Sequence, residues 1–153
     1  MGTWGTGPFS NDGALDLLDM LVTQPAGQRR ETLERIFFRA MDRPDLLGRK
    51  FFPDEIVAAA AVAAAGLPGG EGVRQDLADH GYDADAILVP APDPGLSHSA
   101  LEALPAAAGR DGPWHHGWTD PEDAAQARRT TDRLAAILLR EEHSHEQELP
   151  FQY

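Results

Sequence analysis

Residues 53–66 have the sequence PDEIVAAAAVAAAG. Pro53 suits the first position of a helix, the two acidic residues after it favour the positive helix end, and Gly66 suits a C-terminal cap. Between these signals, residues 56–65 are apolar on every side, which is typical of a buried helix. Because small side chains let neighbouring helices approach closely, we expect this helix to be the hub of a bundle.

Two amphipathic helices are predicted before this stretch. The first begins at Asn11 or Asp12, both good N-cap residues, and the second covers about residues 28–41. In each, apolar residues recur at the spacing of one helix face. The two stripes are Leu15, Leu17, Leu18, Leu21 and Val22, then Leu33, Ile36, Phe37, Ala40 and Met41.

Further helices are predicted after it. A short one covers about residues 73–80. Another begins within residues 97–104, where Ser99 and Glu102 have the spacing of a capping box. The last, with the start signal Thr-Asp-Pro-Glu, covers about residues 119–142. We therefore predict an all-α fold, a single compact bundle of about five helices with Pro/Gly-rich connecting loops.

Composition supports one globular domain. The chain has 153 residues, of which 42% are hydrophobic, enough for a buried core. We assign residues 1–142 to the helical domain and residues 143–153 to a polar, frayed C-terminal tail. The apolar run 56–65 is too short to span a bilayer, and the N-terminus lacks the basic and apolar regions of a secretory leader. We expect a cytoplasmic protein that does not bind membranes.

Charge and cysteine content limit the possible functions. The net charge of −12 opposes binding to nucleic acid, whose phosphates attract cationic faces. It favours encounter with a basic protein partner, or else it simply keeps the protein soluble. The absence of cysteine excludes disulfides, thiolate metal sites and a cysteine nucleophile. We expect no cofactor.

The N-terminal segment is unusual because it contains aromatic residues where most chains carry a polar leader. Residues 1–12 read MGTWGTGPFSND. Trp4 and Phe9 are predicted to pack on the domain as an ordered plug, while Asn11 and Asp12 cap the first helix. The alternative is that Asn11 and Asp12 line a binding site beside the aromatics.

The pattern M-G-x-W-G-x-G-x-F-x-N-D, followed by a leucine-rich acidic helix, resembles the opening of the bacterial domain-of-unknown-function family 4259. The resemblance implies a compact, mostly helical domain with no established activity. Ser10 and Gly13 depart from the residues expected beside the Asn-Asp pair, but neither change opposes a helix start.

One candidate site is an aspartate stripe. Asp12, Asp16 and Asp19 lie on one face of the first helix, because they are separated by four and three residues. Close carboxylates can act as acid and base or hold a divalent cation. The alternative is a solvated acidic face opposite the leucines.

A second candidate is the loop with Trp114, His115, His116 and Trp118. The two tryptophans can wall a ligand pocket or pack over the core. The two histidines are weak metal candidates, because zinc needs a further ligand that only the fold could bring near. A His-x-His pair in the tail is typical of adventitious metal binding.

Two functional hypotheses follow. The favoured one is a non-enzymatic interaction module that binds a basic protein, in the manner of an immunity protein or an antitoxin. The alternative is a small metal-dependent hydrolase that uses the aspartate stripe or the histidine loop.

Overall fold

The computed structural model of the chain describes residues 7–43, 45, 53–89, 93–108 and 120–148, except the side chains of 108 and 142–148. These residues form six α-helices and one short 3₁₀ helix, with no β-strand among them, so the all-α prediction is confirmed. The α-helices are α1 (Asp12–Val22), α2 (Ala26–Asp42), α3 (Pro53–Ala65), α4 (Glu71–Asp79), α5 (Pro94–Ala108) and α6 (Pro121–Glu148). The 3₁₀ helix, Ala84–Ala86, lies between α4 and α5.

Helix α3 is the centre of the bundle. Every residue from Ile56 to Ala65 is buried, and α3 packs against each of the other five helices. Alanine makes this possible because its side chain ends at Cβ, so five neighbours can approach one helix. None of the described helices is long and apolar enough to cross a membrane.

The turn after α3 is tightly closed. A Cβ at position 70 would lie 2.2 Å from the carbonyl oxygen of Ala64, so only glycine fits there. The Arg74 guanidinium donates to the carbonyl of Ala65, the last residue of α3. This bond satisfies one of the carbonyls that a helix leaves unpaired at its C-terminus.

The buried face of α1 differs from the predicted stripe. Ala14, Leu17, Leu18 and Leu21 are buried, whereas Val22 is 43% exposed and Leu15 is only partly buried. The predicted and the observed buried stripes have the same helical period, but the observed stripe is rotated about the axis of α1. The prediction counted only large apolar residues and so missed the buried Ala14.

Helix α2 begins at Ala26, earlier than predicted, because the carbonyl of Pro25 accepts hydrogen bonds from the amides of residues 28 and 29, each 3.0 Å long. Four of its five predicted core residues are buried, but Met41 is 38% exposed.

Helix α5 corrects the predicted capping box. It begins at Pro94, and the preceding Asp93 is its cap: Oδ1 accepts the Leu96 amide at 3.1 Å. Ser99 and Glu102 lie inside the helix, where Glu102 pairs with His98 instead. The cap signal was missed because it follows directly on a proline-rich connection.

Two arginines of α2 hold the segment before α5. Arg29 donates from Nη1 to the Leu88 carbonyl at 2.7 Å, and Arg30 makes two hydrogen bonds to the Asp93 carboxylate, 2.5 and 3.1 Å long. Burial opposes the charge of Asp93, but the bonds from Arg30 and Leu96 and the Arg30 charge outweigh it, so the pKa of Asp93 is lowered.

Helix α6 starts as predicted and ends later. Pro121 is its first residue, and Asp120 Oδ1 accepts the Glu122 amide at 2.8 Å. The helix continues to Glu148, beyond the expected end near residue 142.

Candidate interaction surface

The described part of the N-terminal segment is fixed to the end of α4. The Ser10 amide donates to the Gly7 carbonyl at 3.3 Å and closes a turn around Phe9. Phe9 is fully buried, and its ring meets the His80 imidazole edge-on, with centroids 6.3 Å apart and planes at 76°. The segment thus joins two distant parts of the chain.

Asn11 caps α1. Its side chain is buried, and Oδ1 accepts the Ala14 amide at 2.7 Å. The first turn of α1 lies against the first turn of α3, since a Cβ on Gly13 would be 3.4 Å from the Asp54 Cβ. Burial in this region raises the pKa of the Asp54 carboxyl. The hydrogen bond that Asn11 accepts from the Ala14 amide gives Asn11 a structural role as the N-cap of α1.

Asp12, Asp16 and Asp19 all lie on the exposed side of α1. Tyr82, which follows α4, donates its hydroxyl hydrogen to Asp19 Oδ1 at 2.6 Å. Burial, this hydrogen bond and the charges of Asp19 and Asp16 disfavour the phenolate and raise the pKa of Tyr82 to about 12. The bond fixes the segment after α4 to α1 across the surface.

The bond from Tyr82 to Asp19 joins two acidic segments, and we call their exposed aspartates the acidic face. Its six aspartates are all exposed: Asp12, Asp16 and Asp19 from α1, and Asp79, Asp83 and Asp85 from within three residues of Tyr82. The Asp83 carboxylate accepts the Asp85 amide at 3.0 Å and so starts the 3₁₀ helix. Residues 7–22 and 75–89 contain no lysine or arginine. Each of these two segments therefore carries negative charge with no basic side chain of its own to balance it.

Comparison with known proteins matches the family described as Domain of unknown function (DUF4259) over residues 2–130. The chain belongs to this family. No curated protein and no solved structure matches it significantly. The match confirms the family that the opening residues suggested. The family description assigns no activity to this DUF4259 protein.

Other predicted site residues fall elsewhere. Trp4 and the loop residues Trp114, His115, His116 and Trp118 lie outside the described residues. Within the described part of the chain, no group of three or more His, Asp or Glu side chains is arranged to hold a metal ion. His80 Nδ1 lies 2.8 Å from the Asp76 carbonyl oxygen, and His98 pairs with Glu102. Each histidine therefore has a contact within its own segment, and His80 also contacts the Phe9 ring.

Sequence reasoning missed Tyr82 and the second half of the acidic face in this DUF4259 protein. Tyr82 is separated from Asp19 by 63 residues, so no local periodicity links them. The signal present in the sequence was a single tyrosine among aspartates directly after Gly81, whose φ of +87° makes the turn that glycine favours.

Proposed function

We propose that this DUF4259 protein is a cytoplasmic, non-enzymatic interaction module whose acidic face binds a basic protein partner. The observation that carries the proposal is the gathering of six exposed aspartates from two segments without a lysine or arginine. Such a surface attracts a cationic partner, speeds the encounter and disfavours partners of the same charge.

The acidic face is supported by rigid elements. The buried Phe9 and the bond between Tyr82 and Asp19 fix both halves of the face to the bundle. Binding of a partner therefore requires little ordering of the backbone. Because less conformational entropy is lost, the affinity is higher. This arrangement suits a neutralising role of the immunity or antitoxin type.

We assign the N-terminal segment a structural role, as a plug. Phe9 has no exposed surface, and Asn11 is occupied by capping α1. Neither side chain is placed to contact a ligand from solvent. The metal-dependent hydrolase alternative finds no supporting group of side chains among the described residues.

The experiment compares two variants with the same change in net charge. The face variant D12N/D16N/D85N alters three exposed aspartates and leaves Asp19, the partner of Tyr82, unchanged. The matched control E31Q/D123N/D132N alters exposed carboxylates on α2 and α6. Each immobilised protein is used to capture partners from lysate of the encoding organism, at low and high ionic strength, with identification by mass spectrometry.

We expect a basic protein to be retained by the wild type and the control but lost by the face variant and at high salt. Equal retention by all three proteins, or no retention by the wild type at low salt, would reject the proposal.

A further inference from the structure

A groove of about 440 Å³ lies along one flank of α6. Its described lining is Gln126, Arg129, Thr130 and Arg133. These residues share one side of the helix because they occupy positions i, i+3, i+4 and i+7. The side lies next to the buried stripe that includes Leu134.

Among the described residues, the two arginines keep most of their hydrogen-bonding capacity. Arg129 Nη2 is 3.7 Å from Glu122 Oε1, and Arg133 Nη2 is 3.8 Å from Asp76 Oδ2. Both distances exceed those of hydrogen bonds, so the carboxylates attract the guanidinium groups without occupying their N–H donors. Both arginine side chains are more than half exposed. Exposed pairs of this kind are weak and exchange readily for a better acceptor.

We infer that this groove binds a small molecule that carries phosphate groups. A guanidinium presents a planar set of donors that matches phosphate oxygens in pairs, and two such groups one helical turn apart can hold two phosphates or two edges of one. The volume falls in the range of small-molecule sites, which fits a ligand with more than one phosphate group better than a single orthophosphate. Thr130 donates its hydroxyl to the Gln126 carbonyl at 3.2 Å, so recognition rests on the arginines.

Two carboxylates of the protein, Glu122 on α6 and Asp76 on α4, would compete with a phosphate for these arginines. The Asp76 carboxylate, on α4, occupies the position near Arg133 that a phosphate would take. Removal of this charge should therefore strengthen phosphate binding. This site does not depend on the partner binding proposed for the acidic face.

The test is isothermal titration of the full chain with inorganic pyrophosphate. We expect R129Q and R133Q to bind about tenfold more weakly than the wild type, which is the loss expected for a charge-assisted hydrogen bond. R128Q is the matched control, since Arg128 is exposed on the same helix but outside the groove lining. Asp76→Asn should bind more tightly than the wild type. Thermal unfolding of each variant checks that it is folded.

Three outcomes would overturn the inference. They are no binding by the wild type, an equal loss in R128Q, or equal binding of citrate, which carries comparable charge on carboxylates. The last outcome would show attraction by charge without selectivity for phosphate.

Discussion

Substitution of Phe9 by alanine tests the role of the N-terminal segment. The ring has no exposed surface and packs edge-on against His80. Truncation of a buried phenylalanine typically costs about 3–5 kcal/mol, a value that includes the cavity left behind. For a chain of this size, each kcal/mol lowers Tm by about 2–4 °C, so we expect Tm to fall by roughly 10 °C.

The chain supplies a matched control in Phe38, on the outer side of α2, which is 63% exposed. Phe38→Ala should change stability by less than about 0.5 kcal/mol. Urea unfolding followed by far-UV circular dichroism measures both free energies, and Phe9→Leu should fall between them. If Phe9→Ala cost no more than Phe38→Ala, the segment would not be a structural plug and the reasoning would fail.

Three further predictions concern named hydrogen bonds. Asp93→Asn should cost about 1 kcal/mol at neutral pH because the charged bonds to Arg30 are lost while an Asn cap remains possible. Since the folded pKa of Asp93 is lowered, its contribution is present above the ordinary carboxyl pKa and is lost as pH falls through the lowered value; the difference in Tm between the two proteins should therefore vanish in acid. Tyr82→Phe should cost about 0.5–1.5 kcal/mol and should remove the ultraviolet transition near pH 12, because the hydroxyl that donates to Asp19 is gone. Asn11→Ala should cost about 1 kcal/mol in urea unfolding, and Asn11→Asp much less, because aspartate also caps helices.

Each of these predictions has its own contrary result. A difference between wild type and Asp93→Asn that persists in acid would show that the Asp93 charge does not stabilise the fold. For Tyr82 the sign is opposite to that of Asp93: a raised pKa means that stability falls as pH rises from about 10 toward 12, and the Phe variant should lack this loss. An unchanged alkaline unfolding curve in that variant would contradict the bond to Asp19. Equal stabilities of the two Asn11 variants would argue against capping.

The elements that the sequence predicted well are those whose signals are local. The alanine-rich run between Pro53 and Gly66 specified a buried helix without reference to its neighbours, and Pro121 marked the start of α6. The predicted buried face of α1 was wrong because two neighbouring faces of this helix have apolar residues at the same helical period. Contacts with other helices decide that Ala14 is buried and Val22 is exposed.

In the acidic face too, the features with local signals were predictable and those that depend on long-range contacts were not. The exposure of Asp12, Asp16 and Asp19 followed from the leucines on the opposite side of α1. Their association with the aspartates after α4 depends on two long-range contacts, from Phe9 to His80 and from Tyr82 to Asp19. Such contacts leave no periodic trace in the sequence.

The alanine core of α3 has a consequence for protein engineering. Five helices pack against the small side chains of α3. The distances between the helices of the bundle are therefore determined by this central helix and not by residues on the outer surfaces. Exposed positions on α1 and α6, apart from those such as Asp19 that bond to another segment, can then be randomised in a library without disturbing that spacing. A larger side chain anywhere between Ala58 and Ala61 would instead displace several helices together. The same chain therefore tolerates substitution at its surface but not in its central helix.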